Sequence, residues 1–166
     1  MILWWSPNPR FVLFPNQLYI SKSMRKIIKQ NVFSYTINQN FEAVINQCAT
    51  INRKDQEGTW ITQEMKKAYT KLHQIGYAQS VEVWQDNHLV GGLYGILIGN
   101  CFFGESMFQT VSNASKFGFI QFVQHLEQLG VVIIDCQIHT QHLESLGASF
   151  INRSEFIHIL QKNIHK

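Results

Sequence analysis

Two apolar runs in this chain end in acid. Cys101-Phe-Phe-Gly-Glu-Ser-Met-Phe108 carries Glu105, and Val131-Val-Ile-Ile-Asp-Cys-Gln137 carries Asp135 with an amide, Gln137, two positions further on. Runs of this length, rich in aromatic and β-branched residues, fit buried strands. A carboxylate at the end of a core strand costs several kcal/mol of desolvation unless it is paired, hydrogen-bonded or set at a wet cleft. Strand ends facing a cleft are also where catalytic groups tend to sit. Glu105, Asp135 and Gln137 are therefore the first candidates for a functional site.

The rest of the sequence bounds the setting. With 166 residues, 45% hydrophobic and 13% aromatic, the chain suits one domain around a single core rather than a disordered segment. No apolar run approaches the roughly 20 residues that span a bilayer, and Met1-Ile-Leu-Trp-Trp lacks a positively charged leader, so the expected address is the cytoplasm, away from membranes. Cys48, Cys101 and Cys136 are odd in number and lack CxxC spacing, which argues against a disulfide framework and a thiolate zinc site. They read as reduced small hydrophobes.

The net charge of +3 conceals a polarity: residues 1–41 hold five bases and no acid, whereas residues 42–166 hold nine bases and eleven acids. Lys22, Arg25, Lys26 and Lys29 follow i, i+3, i+4, i+7 spacing, which places all four on one face of a helix begun near Ser21 or Ser23. Such a face attracts phosphates, and a solvated helix surface is the plainer reading of the same pattern.

Read for organisation, Phe11–Phe14 and Gln17–Ile20 are expected to form a hairpin around Pro15-Asn16. After the basic helix come a short strand at 33–36 and a helix over 40–49 with Phe41, Val44, Ile45 and Cys48 on one face. Thr62 reads as the N-cap of a helix that turns Met65, Ala68, Tyr69 and Leu72 inward and stops at Gly76. Strands at 78–84 and 89–98, joined at Asp86-Asn-His88, make an antiparallel set with 101–107. Ser112 or Asn113 is expected to cap a helix to Leu129 carrying Phe119, Phe122, Val123 and Leu126, and Gly130 to end it. Val131–Asp135 then returns to the sheet, followed by a helical turn at 142–147, a strand at 149–151 and a last helix at 154–162. The pattern predicts an α+β fold, a mixed and mostly antiparallel sheet flanked by helices.

Other constellations are weaker. Gly104-Glu-Ser-Met-Phe108 begins like a nucleophile elbow but has Phe108 where a second glycine is required. His139 and His142 could share a helical face, yet no third metal ligand has convincing spacing. The glycines of Gly91-Gly-Leu-Tyr-Gly95 lie inside a strand pattern and mark a bulge, a close ligand approach or loose packing. Glu105, Asp135 and Gln137 have no activated nucleophile beside them, so the set suits positioning an amine and a carbonyl for direct acyl transfer.

Eight motifs, in order, carry a resemblance to a known family: Trp4-Trp-Ser-Pro-Asn-Pro-Arg10, Gly58-Thr-Trp-Ile-Thr62, Glu82-Val-Trp84, Val90-Gly-Gly-Leu-Tyr-Gly95, Phe103-Gly-Glu-Ser-Met-Phe108, Asn113-Ala-Ser-Lys116, Asp135-Cys-Gln137 and His142-Leu-Glu-Ser-Leu-Gly-Ala148. Together they resemble bacterial leucyl/phenylalanyl-tRNA–protein transferases over nearly the whole chain. The resemblance implies an acetyltransferase (GNAT)-like catalytic domain over 1–166, a monomer that uses no cofactor. It also implies transfer of leucine or phenylalanine from aminoacyl-tRNA to the N-terminal arginine or lysine of a protein, a mark for N-end rule degradation. By that resemblance Gln137 orients the attacking amine, Asp135 polarises Gln137 or holds the amine, and Glu105 holds the cationic acceptor. Leu93, Phe102, Met107, Phe119, Phe122 and Ile134, floored by Gly104, are expected to line the pocket for the transferred side chain. Trp60 is expected to stack on the adenosine, and Lys22, Arg25, Lys26 and Lys29 to meet tRNA phosphates.

The family's additional N-terminal stretch, with its Gly-x-Phe-Pro-Trp motif at the adenosine site, is expected to be largely absent. Two rivals accompany this reading. An acyl-CoA N-acyltransferase needs a glycine-rich turn before its long helix, and residues 108–116 contain no glycine. A non-catalytic RNA- or peptide-binding remnant of the family would share the basic face and the pocket.

Overall fold

The computed structural model describes residues 6–50 and 61–165. In chain order the elements are β1 (Arg10–Leu13), α1 (Lys22–Lys29), β2 (Ser34–Ile37), α2 (Phe41–Thr50), α3 (Gln63–Gln74), β3 (Ala78–Gln85), β4 (His88–Ile98), β5 (Cys101–Gln109), α4 (Ala114–Gln128), β6 (Ile133–Gln137), α5 (Gln141–Glu144), β7 (Ser149–Ile151) and α6 (Arg153–Asn163). The strands form one sheet in the order β2-β3-β4-β5-β6-β1-β7. Neighbours are antiparallel except β5 and β6, which run parallel because α4 crosses between them.

The helices cover both faces of the sheet, and the pleat sorts its side chains between them. Phe11 and Leu13, Val81 and Val83, Leu93, Phe102 and Ile134 pack with Phe119, Phe122 and Val123 of α4. Their strand neighbours turn the other way. Tyr94 and Phe108 meet Phe41, Val44 and Ile45 of α2, while Val12, Cys101 and Ile133 meet Phe156 of α6. Gly91, Gly92 and Gly118 allow this close cover: a Cβ on Gly118 would meet Val83 Cγ2 at 2.6 Å, one on Gly91 would meet Ala114 Cβ at 2.9 Å, and one on Gly92 would meet the Val81 carbonyl at 2.7 Å. The glycines of the 91–95 run thus make room for the protein's own helices and strands.

Local signals place several elements where the sequence puts them. Ser21 Oγ accepts from Met24 N at 3.2 Å and Thr62 Oγ1 accepts from Met65 N at 3.2 Å, so both helices start at hydroxyl caps. Asp86 and Asn87 take φ of +49° and +61°, the mirror-image turn that suits a two-residue hairpin. At the edge of the sheet Glu82, fully buried, accepts from Thr36 Oγ1 (2.6 Å), Ser80 Oγ (2.6 Å) and Gln39 N (3.2 Å). Trp84 Nε1 donates to the same Thr36 oxygen at 2.9 Å, and β2 is tied down by this network as well as by its ladder.

Three expectations fail. Residues 17–20 form no strand: Pro15–Gln17 is a 3-10 turn, and Tyr19 N donates to Leu146 O at 2.9 Å. Both edges of β1 are already paired, with β6 and β7, so no position remains for a local hairpin partner. Ala68 is exposed, because α3 lies at the periphery with Met65, Tyr69 and Leu72 only half-buried. Neither Ser112 nor Asn113 caps α4 through its side chain. Asn113 sits at φ +69°, and Gln109 Oε1 instead accepts from Ser115 N (3.2 Å) and Ser115 Oγ (2.7 Å). No helix among the described residues is long and apolar enough to cross a membrane.

Candidate active site

Strands β5 and β6 pair at Cys101 with Ile133, Phe102 with Ile134 and Phe103 with Asp135, and then part. Each strand carries a bulge at this point. On β5 the register passes from Tyr94↔Ser106 to Gly95↔Gly104, leaving Glu105 as the extra residue; on β6 it passes from Val12↔Asp135 to Phe11↔Gln137, leaving Cys136 extra. A bulge bends its strand and re-aims a side chain. The sheet therefore opens into a fork whose lips carry Glu105, Asp135 and Gln137.

Two cavities meet there. The larger, about 620 Å³, is lined by Leu93, Phe102, Gly104, Met107, Phe119 and Ile134, with Thr140, His142 and Leu143 of the α5 segment on its far side. The smaller, about 380 Å³, is lined by Pro7, Arg10, Ile96, Ile98 and Phe103. Glu105, Asp135, Gln137 and Ile138 line both. One apolar compartment and one mixed compartment thus share an acidic, amide-bearing border.

The border is built from specific bonds. Asp135, 2% exposed, accepts from Arg10 Nε at Oδ1 (2.8 Å) and from Arg10 Nη2 at Oδ2 (2.6 Å), a two-point pair joining β6 to β1. Asp135 Oδ1 also accepts from the backbone N–H of Gln137 at 2.9 Å. Gln137, at φ +66°, turns its side chain across the fork, where Nε2 donates to Gly104 O at 2.8 Å. Because the carbonyl can only accept, the amide orientation follows, and Oε1 is the remaining acceptor.

Glu105 is held differently. Burial pushes its carboxyl above the usual carboxylate range; a hydrogen bond from the Tyr69 hydroxyl draws it back, and the Asp135 charge raises it further. Tyr69 in turn is pushed up by burial and by the Glu105 charge and hydrogen bond. The ion pairs among the described residues are Arg10–Asp135 and His139–Glu144, so Glu105 has no cationic partner there.

Of the residues singled out in the sequence, the structure gathers Glu105, Asp135, Gln137, Leu93, Phe102, Gly104, Met107, Phe119 and Ile134 around these cavities. Phe122 is not among the lining residues. It lies 2% exposed behind Phe102, ring centroids 5.0 Å apart at 75°, because three residues further along α4 its side chain enters the closed core. Trp60 lies outside the described residues. Lys22, Arg25, Lys26 and Lys29 come together, with Gln30, along a surface groove on α1. Arg10, counted with that basic segment in the sequence, is instead consumed by Asp135.

Sequence reasoning missed Arg10, Tyr69 and His142 as cavity neighbours. Arg10 entered the sequence analysis only as one of the five bases of residues 1–41 and as the last residue of a family motif, and Tyr69 falls at a core-like helical position. His142 Nε2 is buried without a hydrogen-bond partner among the described residues, and burial, then Lys116, holds the imidazole below its usual range. His139 reaches Glu144 at 3.0 Å and stacks on Phe150. No group of three or more metal-ligating side chains occurs among the described residues. Among the described residues Cys101 and Cys136 form no disulfide, and burial pushes the Cys101 thiol to about 11 and the Cys136 thiol to about 12.

Comparison with solved structures agrees on the fold. A GCN5-related N-acetyltransferase from Kribbella flavida superposes with a TM-score of 0.51 at 7% identity, covering 87% of this chain and 55% of that one. The structure of L-PGS from Bacillus licheniformis gives 0.51 at 10% identity, covering 77% and 45%. Sequence comparison is more specific. The family model described as leucyl/phenylalanyl-tRNA protein transferase matches residues 12–161. Relatives named leucyl/phenylalanyl-tRNA–protein transferase include one from Syntrophus aciditrophicus, 54% identical over 99% of this chain and 69% of its own length. Another, from Christiangramia forsetii, is 59% identical over 96% of this chain and 76% of its own length. With its acetyltransferase-like sheet, its forked strands and this continuous match, the chain belongs to the leucyl/phenylalanyl-tRNA–protein transferase family.

Proposed function

We propose that this chain, with residues 1–166 acting as one catalytic domain in the cytoplasm, moves leucine or phenylalanine from aminoacyl-tRNA to the N-terminal arginine or lysine of acceptor proteins. The product would be marked for N-end rule degradation. The observation that carries this reading is the pair of cavities sharing Glu105 and Gln137. The apolar cavity suits an unbranched-at-β Leu or Phe side chain, and methionine and phenylalanine walls adapt to both shapes. The smaller cavity suits a cationic residue: Glu105 supplies a carboxylate with no cation beside it among the described residues, and Ile96, Ile98 and Phe103 supply an apolar wall for a long aliphatic stem.

Chemistry then follows from position. The acceptor's neutral α-amine donates one N–H to Gln137 Oε1, which aims its lone pair at the ester carbonyl. A C–N bond forms, the ester C–O bond breaks, and the ribose hydroxyl leaves with the proton the amine gives up. No enzyme nucleophile is needed. An acyl-CoA donor is disfavoured because Gln109 occupies the Ser115 N–H at the start of α4, where a pyrophosphate would bind in an acetyltransferase. The groove of Lys22, Arg25, Lys26 and Lys29 supplies a phosphate-attracting surface for the tRNA.

The test is single-turnover transfer from charged tRNA to an Arg-initiated peptide, with an Asp-initiated peptide as control. Gln137→Ala is expected to slow transfer by about 10²-fold with donor binding retained. Glu105→Gln is expected to raise KM for Arg- and Lys-initiated acceptors by about 10- to 100-fold, the loss of one charged hydrogen bond. Absence of transfer by the unmutated chain would remove the proposal.

A further inference from the structure

We infer that Arg10 is a positioning residue for the transfer, the root of a clamp that runs through Asp135 and holds Gln137 in the conformation from which it meets the amine. This rests on the function proposed above. Gln137 is a non-glycine residue at φ +66°, a conformation that costs of order 1–2 kcal/mol and persists only where surrounding bonds enforce it. Two bonds do so: the Gln137 N–H to Asp135 Oδ1 at 2.9 Å and Gln137 Nε2 to Gly104 O at 2.8 Å. The first depends on a carboxylate that is itself almost fully buried, and such a charge keeps its place only with a close counter-ion.

Arg10 is that counter-ion. Its planar guanidinium engages both Asp135 oxygens, its side chain is 13% exposed, and its Cζ lies 5.3 Å from the ring centre of Phe156 on α6. β1 lies between β6 and β7, so the fork that aims Asp135 is set by sheet pairing on both sides. The arrangement also divides labour between the two acids. Asp135 is taken up by Arg10 and the Gln137 backbone, which makes it a positioning residue too, and the acceptor's cation falls to Glu105.

The clamp predicts effects on rate and on one amide. Arg10→Lys keeps the charge and loses the fork; it is expected to lower the single-turnover rate by about 10²-fold while donor binding and acceptor KM stay within a few-fold. In the 15N-labelled protein, the Gln137 amide proton, shifted downfield by its carboxylate bond, is expected to move upfield in Arg10→Lys. Millimolar ethylguanidinium is expected to restore rate and amide shift together in Arg10→Ala; should that variant not fold, Arg10→Lys decides alone. A folded Arg10→Lys with the unmutated rate and amide shift overturns the inference, as does a rate loss matched by equal loss of donor binding, or a folded Arg10→Ala that ethylguanidinium leaves unchanged. If the unmutated chain shows no transfer, the function proposal fails, and the Gln137 amide shift still tests the clamp.

Discussion

Phe122 separates the core from the cavity. Its ring is 2% exposed and stands edge-on behind Phe102, so Phe122→Ala removes a buried aromatic whose neighbours are fixed on the sheet and on α4. Such truncations cost about 3–5 kcal/mol, transfer and cavity contributions together. For a domain of this size each kcal/mol moves Tm by about 2–4 °C, so the melt should fall by about 6–20 °C. Transfer per folded molecule, measured well below the new Tm, should fall less than about 10-fold for both leucine and phenylalanine, because Phe102 keeps the cavity wall. Met107→Ala reverses the pattern: Met107 is half-buried and lines the cavity, so its loss should change the ratio of phenylalanine to leucine transfer with a smaller change in Tm. The comparison uses thermal and urea melts followed by circular dichroism, beside single-turnover transfer. A Phe122→Ala protein losing less than about 1 kcal/mol, yet selectively impaired in transfer, would refute this division.

Two further outcomes follow from the site's electrostatics. Burial raises the Glu105 carboxyl and Tyr69 lowers it, so acceptor kcat/KM should fall on the acid side as Glu105 protonates, and Tyr69→Phe should shift that limb to higher pH; an unmoved limb removes Glu105 from acceptor binding. Since folding raises this carboxyl, its stabilising contribution is present at acid pH and is lost as pH rises from the unfolded value near 4.3 (about that of free Glu) through the folded one, a slope that Glu105→Gln should abolish in melts. Replacing Lys22, Arg25, Lys26 and Lys29 by Ala should weaken tRNA binding and reduce the slope of log K against log salt by about 0.7–0.9 for each phosphate these side chains neutralise; an unchanged slope would mean a merely solvated face.

What could be read in the sequence was what local chemistry encodes. Spacing put Lys22, Arg25, Lys26 and Lys29 on one helical face begun near Ser21 or Ser23, Thr62 declared its cap, and Asp86-Asn-His88 declared its hairpin, since each depends on residues within a few positions. The acid-ended runs marked Glu105, Asp135 and Gln137 because desolvation leaves few places for a carboxylate on a core strand. The motifs, taken together, carried the family.

Tertiary structure decided the rest. The hairpin expected at 11–20 was lost because β1 is paired on both edges by β6 and β7, a competition between segments more than a hundred residues apart. Phe119 and Phe122 are alike in sequence as apolar-face residues of one helix, and only the fork in the sheet makes one a cavity wall and the other core. The Arg10–Asp135 pair spans 125 positions, and the bulges at Glu105 and Cys136 exist only as mismatches between strands. Caps and helical faces are properties of neighbours along the chain. Register, bulges and ion pairs are properties of partners across it, and those settle only when the whole sheet assembles.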